Sequence, residues 1–160
     1  MTSFSPPSLP VAVLFFRDAA ALYGEDGLFP ATPNAAGIDL RACLHEGAAI
    51  TIPPGERRCV PSGLAIEPRL PGVAAFIYSR SGLGAVKGLT VAQGVGLIDP
   101  DYRGEILIYL LNTGLESQVV RHKDRVAQLL FQPFVRPAFS VVESLGATER
   151  GAGGFGHTGQ

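Results

Sequence analysis

The stretch Gly94–Asn112, which reads GVGLIDPDYRGEILIYLLN, decides the fold class of this chain. It contains two short apolar runs separated by an Asp-Pro-Asp turn, an arrangement that is typical of a β-hairpin. The second run, Glu105–Asn112, is apolar on both alternating faces, so a strand formed by it must be covered on both sides. The cover comes either from the middle of a sandwich or from another subunit. We expect a subunit contact, because only 17% of the residues are charged.

Short apolar runs of the same kind recur along the chain between Gly, Pro and Asn residues, and the 20 Gly and 13 Pro argue against long helices. The runs are Val11–Phe16, Gly37–Cys43, Ala48–Ile52, Arg57–Val60, Gly63–Glu67, Val73–Tyr78, Glu105–Asn112, Ser117–Val120, Arg125–Phe131 and Phe139–Val142. This spacing predicts an all-β sandwich or barrel. One short helix is expected from Ser79 or Ser81 to Gly88, with Ser as its N-cap and Gly at its end.

The length of 160 residues suits one domain with a single core. We expect this domain to occupy residues 1–142. Residues 143–160 contain six glycines and almost no apolar bulk apart from Leu145 and Phe155, so they cannot pack a core. They are predicted to form a flexible C-terminal arm.

Composition excludes several classes of function. A formal net charge of −1 without a dense basic run makes nucleic acid a poor partner. The first apolar run, Val11–Phe16, is too short for a signal core or a membrane span, so we expect no membrane association and a cytoplasmic location. Cys43 and Cys59 are predicted to be free buried thiols. The histidines and cysteines are too scattered to form a structural zinc site.

Two polar segments could carry chemistry in the middle of the chain. In Ser79–Gly84, SRSGLG, an arginine and a hydroxyl at a helix start suit a phosphate, although a capped turn with a surface arginine would have the same sequence. In the Asp-Pro-Asp turn of Gly94–Asn112, Asp99 and Tyr102 could present a carboxylate and an aromatic ring to a cleft. The alternative for this turn is an ordinary polar hairpin tip.

Two further segments lie nearer the C-terminus. Strand alternation places Gln128 on the same face as Val126 and Leu130, so its amide must bond either to the core or to a ligand. The glycine-rich segment that carries Arg150 and Phe155 is either a disordered tail or an arm that folds over a ligand, with arginine on phosphate and phenylalanine on a flat ring.

Five segments, taken in chain order, resemble the five motifs of the trimeric deoxyuridine triphosphate nucleotidohydrolases, the dUTPases. They are AAGIDLRAC (Ala35–Cys43), SRSGLG (Ser79–Gly84), GVGLIDPDYRGE (Gly94–Glu105), RVAQLLF (Arg125–Phe131) and RGAGGFGHTG (Arg150–Gly159). One such motif would be a weak signal, but five in the right order are specific.

The resemblance implies a distorted jelly-roll β-sandwich that assembles into a homotrimer, with each active site built from three chains. It also implies hydrolysis of dUTP to dUMP and pyrophosphate, which keeps uracil out of DNA and supplies dUMP for thymidylate synthesis. The implied cofactor is Mg²⁺, held by the triphosphate and waters and not directly by protein side chains.

The resemblance assigns roles to residues in the second and third motifs. Asp99 matches the catalytic carboxylate that orients and deprotonates the attacking water and contacts the sugar 3′-hydroxyl. Tyr102 matches the aromatic residue under the deoxyribose that leaves no room for a 2′-hydroxyl. Arg80, Ser81 and Gly82 match the motif that binds the phosphates.

Residues of the other motifs receive roles in the same way. Gln128 matches the amide near the phosphates and the catalytic water, while Arg150 and Phe155 match the arm residues that grip the γ-phosphate and cover uracil. Asp39 matches a carboxylate that supports either the water on the metal or Arg150. Arg125 is expected to order the site by pairing with a carboxylate.

The remaining substrate contacts implied by the resemblance are Gln93 and Gly96 in the hairpin, whose backbone reads uracil, and Gly156 in the arm. The chain departs from the family pattern at two positions. Gln93 stands where many relatives have Asn, and His157 stands where Ser is frequent, with Thr158 keeping a hydroxyl nearby. Neither departure removes a reacting group, so activity is expected.

Two rival functions remain open from the sequence. A dCTP deaminase shares the fold, but it would need a glutamate that acts at the base and would not need the complete glycine-rich arm. A catalytically silent trimer that binds nucleotide as a signal would be favoured by loss of Asp99 or Arg150, and both are present.

Overall fold

A computed structural model describes residues 8–24 and 28–154. Eleven strands are found in this part of the chain, together with one short α-helix and one π-helical turn. The strands are β1 Val11–Phe15, β2 Ile38–Arg41, β3 Ala49–Ile52, β4 Arg57–Pro61, β5 Leu64–Pro68, β6 Val73–Tyr78, β7 Leu89–Val91, β8 Gly96–Ile98, β9 Leu107–Asn112, β10 Gln118–Arg121 and β11 Arg125–Pro133. The helix α1 is Ala19–Tyr23, and the π-helical turn is Gly82–Val86.

The strands form four antiparallel sheets around one core. The largest sheet has the order β2-β11-β6-β8, and a three-stranded sheet has the order β4-β9-β7. The pairs β1-β5 and β3-β10 form the other two sheets. Leu40 and Leu129 from the largest sheet belong to the same buried cluster as Val60 and Leu110 from the three-stranded sheet. The predicted all-β class is therefore confirmed, with the core between sheets.

Nine of the ten apolar runs contain a strand, but the expected strand at Phe139–Val142 was wrong. Phe139 and Val141 are almost fully exposed, and no strand of the described chain pairs with this segment. A strand needs a neighbouring strand to satisfy its backbone groups, and apolar composition alone does not supply one. The short strand β7 was not predicted, because three residues are too few to show a periodicity. β8 lies in the first apolar run of Gly94–Asn112, where a strand was predicted.

The expectation of a single helix was also wrong, because α1 is present in addition to the predicted turn after Ser81. Five residues are too few to show helical periodicity. Tertiary contacts hold α1 in place, since the buried hydroxyl of Tyr23 donates to the carbonyl of Ser62 at 3.0 Å and accepts from the backbone N–H of Arg41 at 3.0 Å.

The π-helical turn lies where a helix was predicted, but its capping differs. Ser81 makes no side-chain cap bond. The hydroxyl of Ser79 instead accepts from the backbone N–H of Val91 at 2.8 Å, which ties β7 to the end of β6. Gly88 follows the turn with a φ of +67°, a conformation in which glycine carries no side-chain penalty.

The segment Gly94–Asn112 is not a hairpin, because its two strands belong to different sheets. β8 pairs with β6, whereas β9 pairs with β4 and β7. Within one chain β9 is covered on one face only. Ile108 and Leu110 are buried, while Leu107 and Tyr109 are each 47% exposed. That another subunit covers the exposed face of β9 stays a prediction.

Two smaller expectations also bear on the fold. Both Cys43 and Cys59 are free, but only Cys43 is buried and Cys59 is half-buried. Among the residues that the structure describes, no helix is long and apolar enough to cross a membrane.

Candidate active site

A cleft of about 910 Å³ lies over one face of the four-stranded sheet, and we call it the arginine cleft. It is lined by Ala31, Ala35, Ala36, Gly37, Asp39, Tyr78, Ser79, Arg80, Ser81, Gly82, Gly94, Arg125, Gln128 and Leu130. Strand pairing explains why residues so distant in sequence meet here. Gln128 of β11 lies opposite Asp39 of β2 on one side and opposite Tyr78 of β6 on the other. Residues opposite one another share a face of the sheet.

Asp39 holds both arginines of this cleft. Its Oδ1 accepts from Arg80 Nε at 2.7 Å, and its Oδ2 accepts from Arg125 Nη1 at 3.2 Å. The Asp39 side chain is 22% exposed, so these charge-assisted bonds are only partly screened by water. One carboxylate thus orients two guanidinium groups and leaves an excess positive charge toward the cleft. This arrangement suits a polyanion.

Ser81 and Gly82 line the arginine cleft at the start of the π-helical turn. The carbonyl of Arg80 accepts from the backbone N–H groups of Leu83 at 3.0 Å and Gly84 at 2.8 Å. The first N–H groups of a helical turn have no acceptor within the turn itself, so they are available to an anion.

Gln128 lies on the cleft side of β11 and not on its core side. A bulge between Arg125 and Ala127 shifts the alternation, so that Val126 and Ala127 are both buried and Gln128 faces the cleft with Leu130. The expectation that Gln128 shares a face with Val126 was therefore wrong. Bulges of this kind re-aim the side chains that follow them.

The amide of Gln128 is hydrogen-bonded through its nitrogen and closely packed at its oxygen. Its Nε2 donates to the carbonyl of Ser79 at 3.0 Å. A Cβ at Gly37 would lie 2.7 Å from its Oε1, so only a glycine fits there without displacing the amide. The amide is thus partly satisfied within the protein and still lines the cleft.

A second, smaller cleft of about 230 Å³ contains the predicted base, and we call it the turn cleft. It is lined by Ile77, Gln93, Gly96, Leu97, Ile98, Asp99, Tyr102, Glu105 and Leu107. Asp99 and Gln93 are exposed, whereas Gly96 is buried. A Cβ at Gly96 would lie 3.1 Å from Ile77 Cβ and 3.3 Å from Gln93 Nε2, so the glycine allows close packing at this point.

Tyr102 is held at its backbone and at its hydroxyl, although the residue is 43% exposed. Its backbone N–H donates to the Asp99 carbonyl at 3.0 Å, and its hydroxyl donates to the Glu105 carbonyl at 3.0 Å. The ring lies against Gly104, where a Cβ would approach Tyr102 Cζ to 2.6 Å. The turn therefore presents a carboxylate and a fixed aromatic ring side by side.

The structure does not bring all the predicted site residues into one cleft. Within one chain Asp99 and Tyr102 line the turn cleft, whereas Arg80, Arg125 and Gln128 line the arginine cleft. The boundary between the clefts follows β6 and the loop after β7. Tyr78 and Gly94 face the arginine cleft, and their neighbours Ile77 and Gln93 face the turn cleft.

Arg150 is the predicted arm residue that the structure describes, and it lies apart from both clefts. Arg150 is exposed, and its Nε donates to the carbonyl of Gly153, three residues along the chain, at 2.9 Å. Phe155, Gly156 and His157 lie outside the described residues. Neither cleft includes Arg150 among its lining residues.

Sequence reasoning missed an ion pair behind the turn cleft. Arg17 makes a bidentate pair with the carboxylate of Glu105, 88 residues away. This hydrogen-bonded carboxylate raises the pKa of the Arg17 guanidinium above its ordinary value, although burial opposes the shift. The position of Glu105 directly after Gly104 was visible in the third motif, but no local signal identifies its partner.

The residues that line the two clefts fit a metal ion that binds together with a polyanion and takes its oxygen ligands from it. In the described part of the chain, no cluster of three His, Cys, Asp or Glu side chains could hold a metal ion. Asp39 already bonds to two arginines. A cation in the arginine cleft would therefore need oxygen ligands from a bound polyanion, and Mg²⁺ commonly binds proteins in company with phosphates and water.

Sequence comparisons identify relatives of this chain. A family model described as dUTPase matches residues 26–159. The deoxyuridine 5′-triphosphate nucleotidohydrolase of Desulfitobacterium hafniense is 50% identical over 129 residues, which is 81% of this chain and 84% of that protein. The enzyme of the same description from Escherichia coli K12 is 45% identical over 130 residues, covering 81% of this chain and 85% of that protein.

Solved structures agree with the sequence relatives. The structure of a variant of Staphylococcus bacteriophage 80alpha dUTPase with dUpNHpp has a TM-score of 0.74 and 21% identity, covering 94% of this chain and 99% of that chain. The dUTPase of Streptococcus mutans has a TM-score of 0.64 and 27% identity, covering 79% of this chain and 98% of that chain. The resemblance that was predicted from five motifs is confirmed, and this chain belongs to the dUTPase family.

Proposed function

We propose that the arginine cleft of one protomer, the turn cleft of a second and the arm of a third form each site at which this dUTPase hydrolyses dUTP. As a deoxyuridine 5′-triphosphate nucleotidohydrolase, the protein converts dUTP to dUMP and pyrophosphate and acts in nucleotide metabolism. The observation that supports a shared site is the separation of the two clefts. One cleft holds cations without the base, and the other holds the base and an aromatic ring without the cations.

The exposed face of β9 supports the assembly. Leu107 and Tyr109 point away from the core beside the turn cleft, and Leu97 of β8 is exposed nearby. An apolar face of this kind is typical of a contact between subunits. A closed homotrimer would bury it and bring the turn cleft of one protomer toward the arginine cleft of the next.

The arginine cleft binds the triphosphate in this proposal. Arg80 and Arg125 supply positive charge, and their common bond to Asp39 keeps both guanidinium groups in place before substrate arrives. Groups that are already oriented need no reorganisation during the reaction, which makes their electrostatic effect larger. The N–H groups of Ser81 and Gly82 and the amide of Gln128 complete the phosphate contacts.

Asp99 is the general base. Its exposed carboxylate orients a water for in-line attack at the α-phosphorus and accepts its proton, and a positioned base contributes roughly 10²- to 10⁴-fold. When Mg²⁺ is bound with the triphosphate, it supplies charge neutralisation at the phosphate oxygens. Arg80 and Arg150 stabilise the charge that develops on the departing pyrophosphate.

Tyr102 and the segment before it select the nucleoside. The fixed ring of Tyr102 lies under the deoxyribose and excludes a 2′-hydroxyl by contact. Backbone groups around Gln93 and Gly96 pair with the uracil edge, and mismatched polar groups in such a site reject the wrong base by ~10⁴ or more. Phe155 and Gly156 of the arm cover the uracil once substrate is bound.

The cytoplasmic location of the protein stays a prediction from the sequence.

A complementation experiment tests the shared site. Arg80→Ala removes the phosphate arginine and Asp99→Asn removes the base, so each variant alone is expected to be nearly inactive. When the two are unfolded together and refolded as mixed trimers, about a quarter of the sites should combine an intact arginine cleft with an intact turn cleft from different protomers. Pyrophosphate release from dUTP with Mg²⁺ measures the recovery.

The outcome separates two arrangements of the site. Recovery of about a quarter of the wild-type rate supports the shared site, because neither variant chain contains both groups. If every site used one chain only, mixing would recover nothing. Parallel assays with dTTP, dCTP and UTP, with ammonia followed in the dCTP sample, define the substrate range and separate the hydrolase from the deaminase alternative.

A further inference from the structure

Glu105 connects the turn cleft to the N-terminal part of the chain. Its side chain is only 15% exposed. Oε2 accepts from Arg17 Nη1 at 3.0 Å, and Oε1 accepts both from Arg17 Nη2 and from the backbone N–H of Gly63 at 2.7 Å. Because the carboxylate is held from two directions, the backbone of Glu105 is held with it.

The same residue determines where the ring of Tyr102 lies. The Tyr102 hydroxyl donates to the main-chain carbonyl of Glu105 at 3.0 Å, and the ring rests on Gly104 between them. A displacement of the Glu105 backbone would therefore move the hydroxyl end of the ring. Two contacts lead from Arg17 through Glu105 to the ring of Tyr102, the surface that is proposed to meet the sugar.

The backbone of Arg17 adopts a conformation that does not favour arginine. Its φ is +52°, in the left-handed region where glycine or asparagine is more stable. The backbone N–H of its neighbour Phe16 donates to the Gly63 carbonyl at 2.7 Å. The N–H of the same Gly63 donates to the Glu105 carboxylate, so the backbone at Phe16 and the Glu105 side chain both bond to Gly63. A non-glycine residue in this region persists only when its surroundings hold it, and the ion pair with Glu105 is one such interaction.

We propose that Arg17, acting through Glu105, is a positioning residue that fixes the ring of Tyr102 and thereby sets the discrimination between dUTP and UTP. This inference depends on the proposed role of Tyr102 against the sugar. Arg17 does not line the turn cleft, so it acts on the substrate only through the ring.

The test compares kcat/KM for dUTP and for UTP in three variants of Arg17. Arg17→Gly removes the guanidinium but suits the left-handed backbone, whereas Arg17→Met keeps the aliphatic stem and removes only the charge and hydrogen bonds. Both should lower the ratio of the two kcat/KM values by at least about fivefold, because a loosened ring admits the 2′-hydroxyl. Arg17→Lys, which retains one charged donor, should recover part of the ratio.

A matched control removes a different arginine pair. Arg58 and Glu56 form an ion pair with roughly half-exposed side chains, away from both clefts, and Arg58→Met should leave the ratio unchanged. The ratio is independent of the fraction of folded protein, so a loss of stability alone does not change it. If both Arg17→Gly and Arg17→Met kept the wild-type ratio, the inference would be wrong.

Tyr102→Ala distinguishes failure of this inference from failure of the proposed site. If Tyr102→Ala loses the discrimination between dUTP and UTP but the Arg17 variants keep it, the proposed sugar site is supported and the proposed role of Arg17 is wrong. If Tyr102→Ala keeps the wild-type ratio, both the proposed sugar site and the proposed role of Arg17 are wrong. With both correct, adding Arg17→Gly to Tyr102→Ala changes the ratio no further, since the two act through the same ring.

Discussion

Asp39 accepts a hydrogen bond from Arg80 at 2.7 Å across the arginine cleft, and the second oxygen of the same carboxylate accepts from Arg125. Two cations therefore depend on one anion for their orientation. Because the first motif supplies the carboxylate while the second and fourth supply the arginines, three distant motifs act as a single unit in this cleft.

Replacing Asp39 tests that unit. Asp39→Asn keeps the shape of the side chain but removes the charge that orients both guanidinium groups, so kcat/KM for dUTP should fall by about tenfold or more. Steady-state kinetics at two ionic strengths provide the measurement. A variant within twofold of wild type would show that the arginines are oriented without this carboxylate.

Asp99→Asn separates binding from chemistry. The substitution removes the base and keeps the shape of the turn, so turnover should fall by at least ~10²-fold while affinity for dUTP changes by less than about tenfold. Calorimetric titration with a non-hydrolysable dUTP analogue gives the affinity, and pyrophosphate release gives the turnover. Equal turnover in the two proteins would refute the assignment of the base.

Gly104→Ala tests the packing of the Tyr102 ring against Gly104. The new Cβ would lie 2.6 Å from Tyr102 Cζ, closer than carbon atoms can approach, so the ring must move. The expected result is a rise of about fivefold or more in the KM for dUTP and a smaller preference for dUTP over UTP. In a Tyr102→Ala background the same substitution should have little further effect, and an undiminished effect there would point to a cause other than the ring.

A matched pair of glycines tests the packing of Gly63 against Ala19 and Cys43. Gly63 and Gly55 have φ values of +78° and +74°, but a Cβ at Gly63 would lie 2.5 Å from Ala19 Cβ and 2.6 Å from Cys43 Sγ, whereas a Cβ at Gly55 meets nothing within 4 Å. Gly55→Ala should lower the free energy of unfolding by about 1–2 kcal/mol through backbone strain alone. Gly63→Ala should cost roughly 1–3 kcal/mol more, because the core is overpacked as well.

Urea denaturation of both alanine variants at one protein concentration gives the comparison, since an oligomer's stability depends on concentration. Equal losses for the two variants would mean that the packing around Gly63 relaxes freely. A larger loss at Gly55 would contradict the structure of this region.

The sequence alone determined the fold class and the family. Short apolar runs between turn residues predict strands because side-chain alternation is a local property, and five motifs in order identify the dUTPases because each motif is contiguous. β7 and α1 escaped prediction because three residues show no strand alternation and five show no helical periodicity. Phe139–Val142 failed for the opposite reason, since it has the composition of a strand but no partner in the described chain.

Only the tertiary structure decided how the predicted residues are grouped. The bulge in β11 turned Gln128 toward the cleft, and β6 with the loop after β7 separates the base from the arginines. Arg125 and Asp39 are 86 residues apart, and Arg17 and Glu105 are 88 apart. Such pairs follow from strand order and from the path of the chain between sheets, which depend on packing over the whole domain and leave no trace in the local sequence.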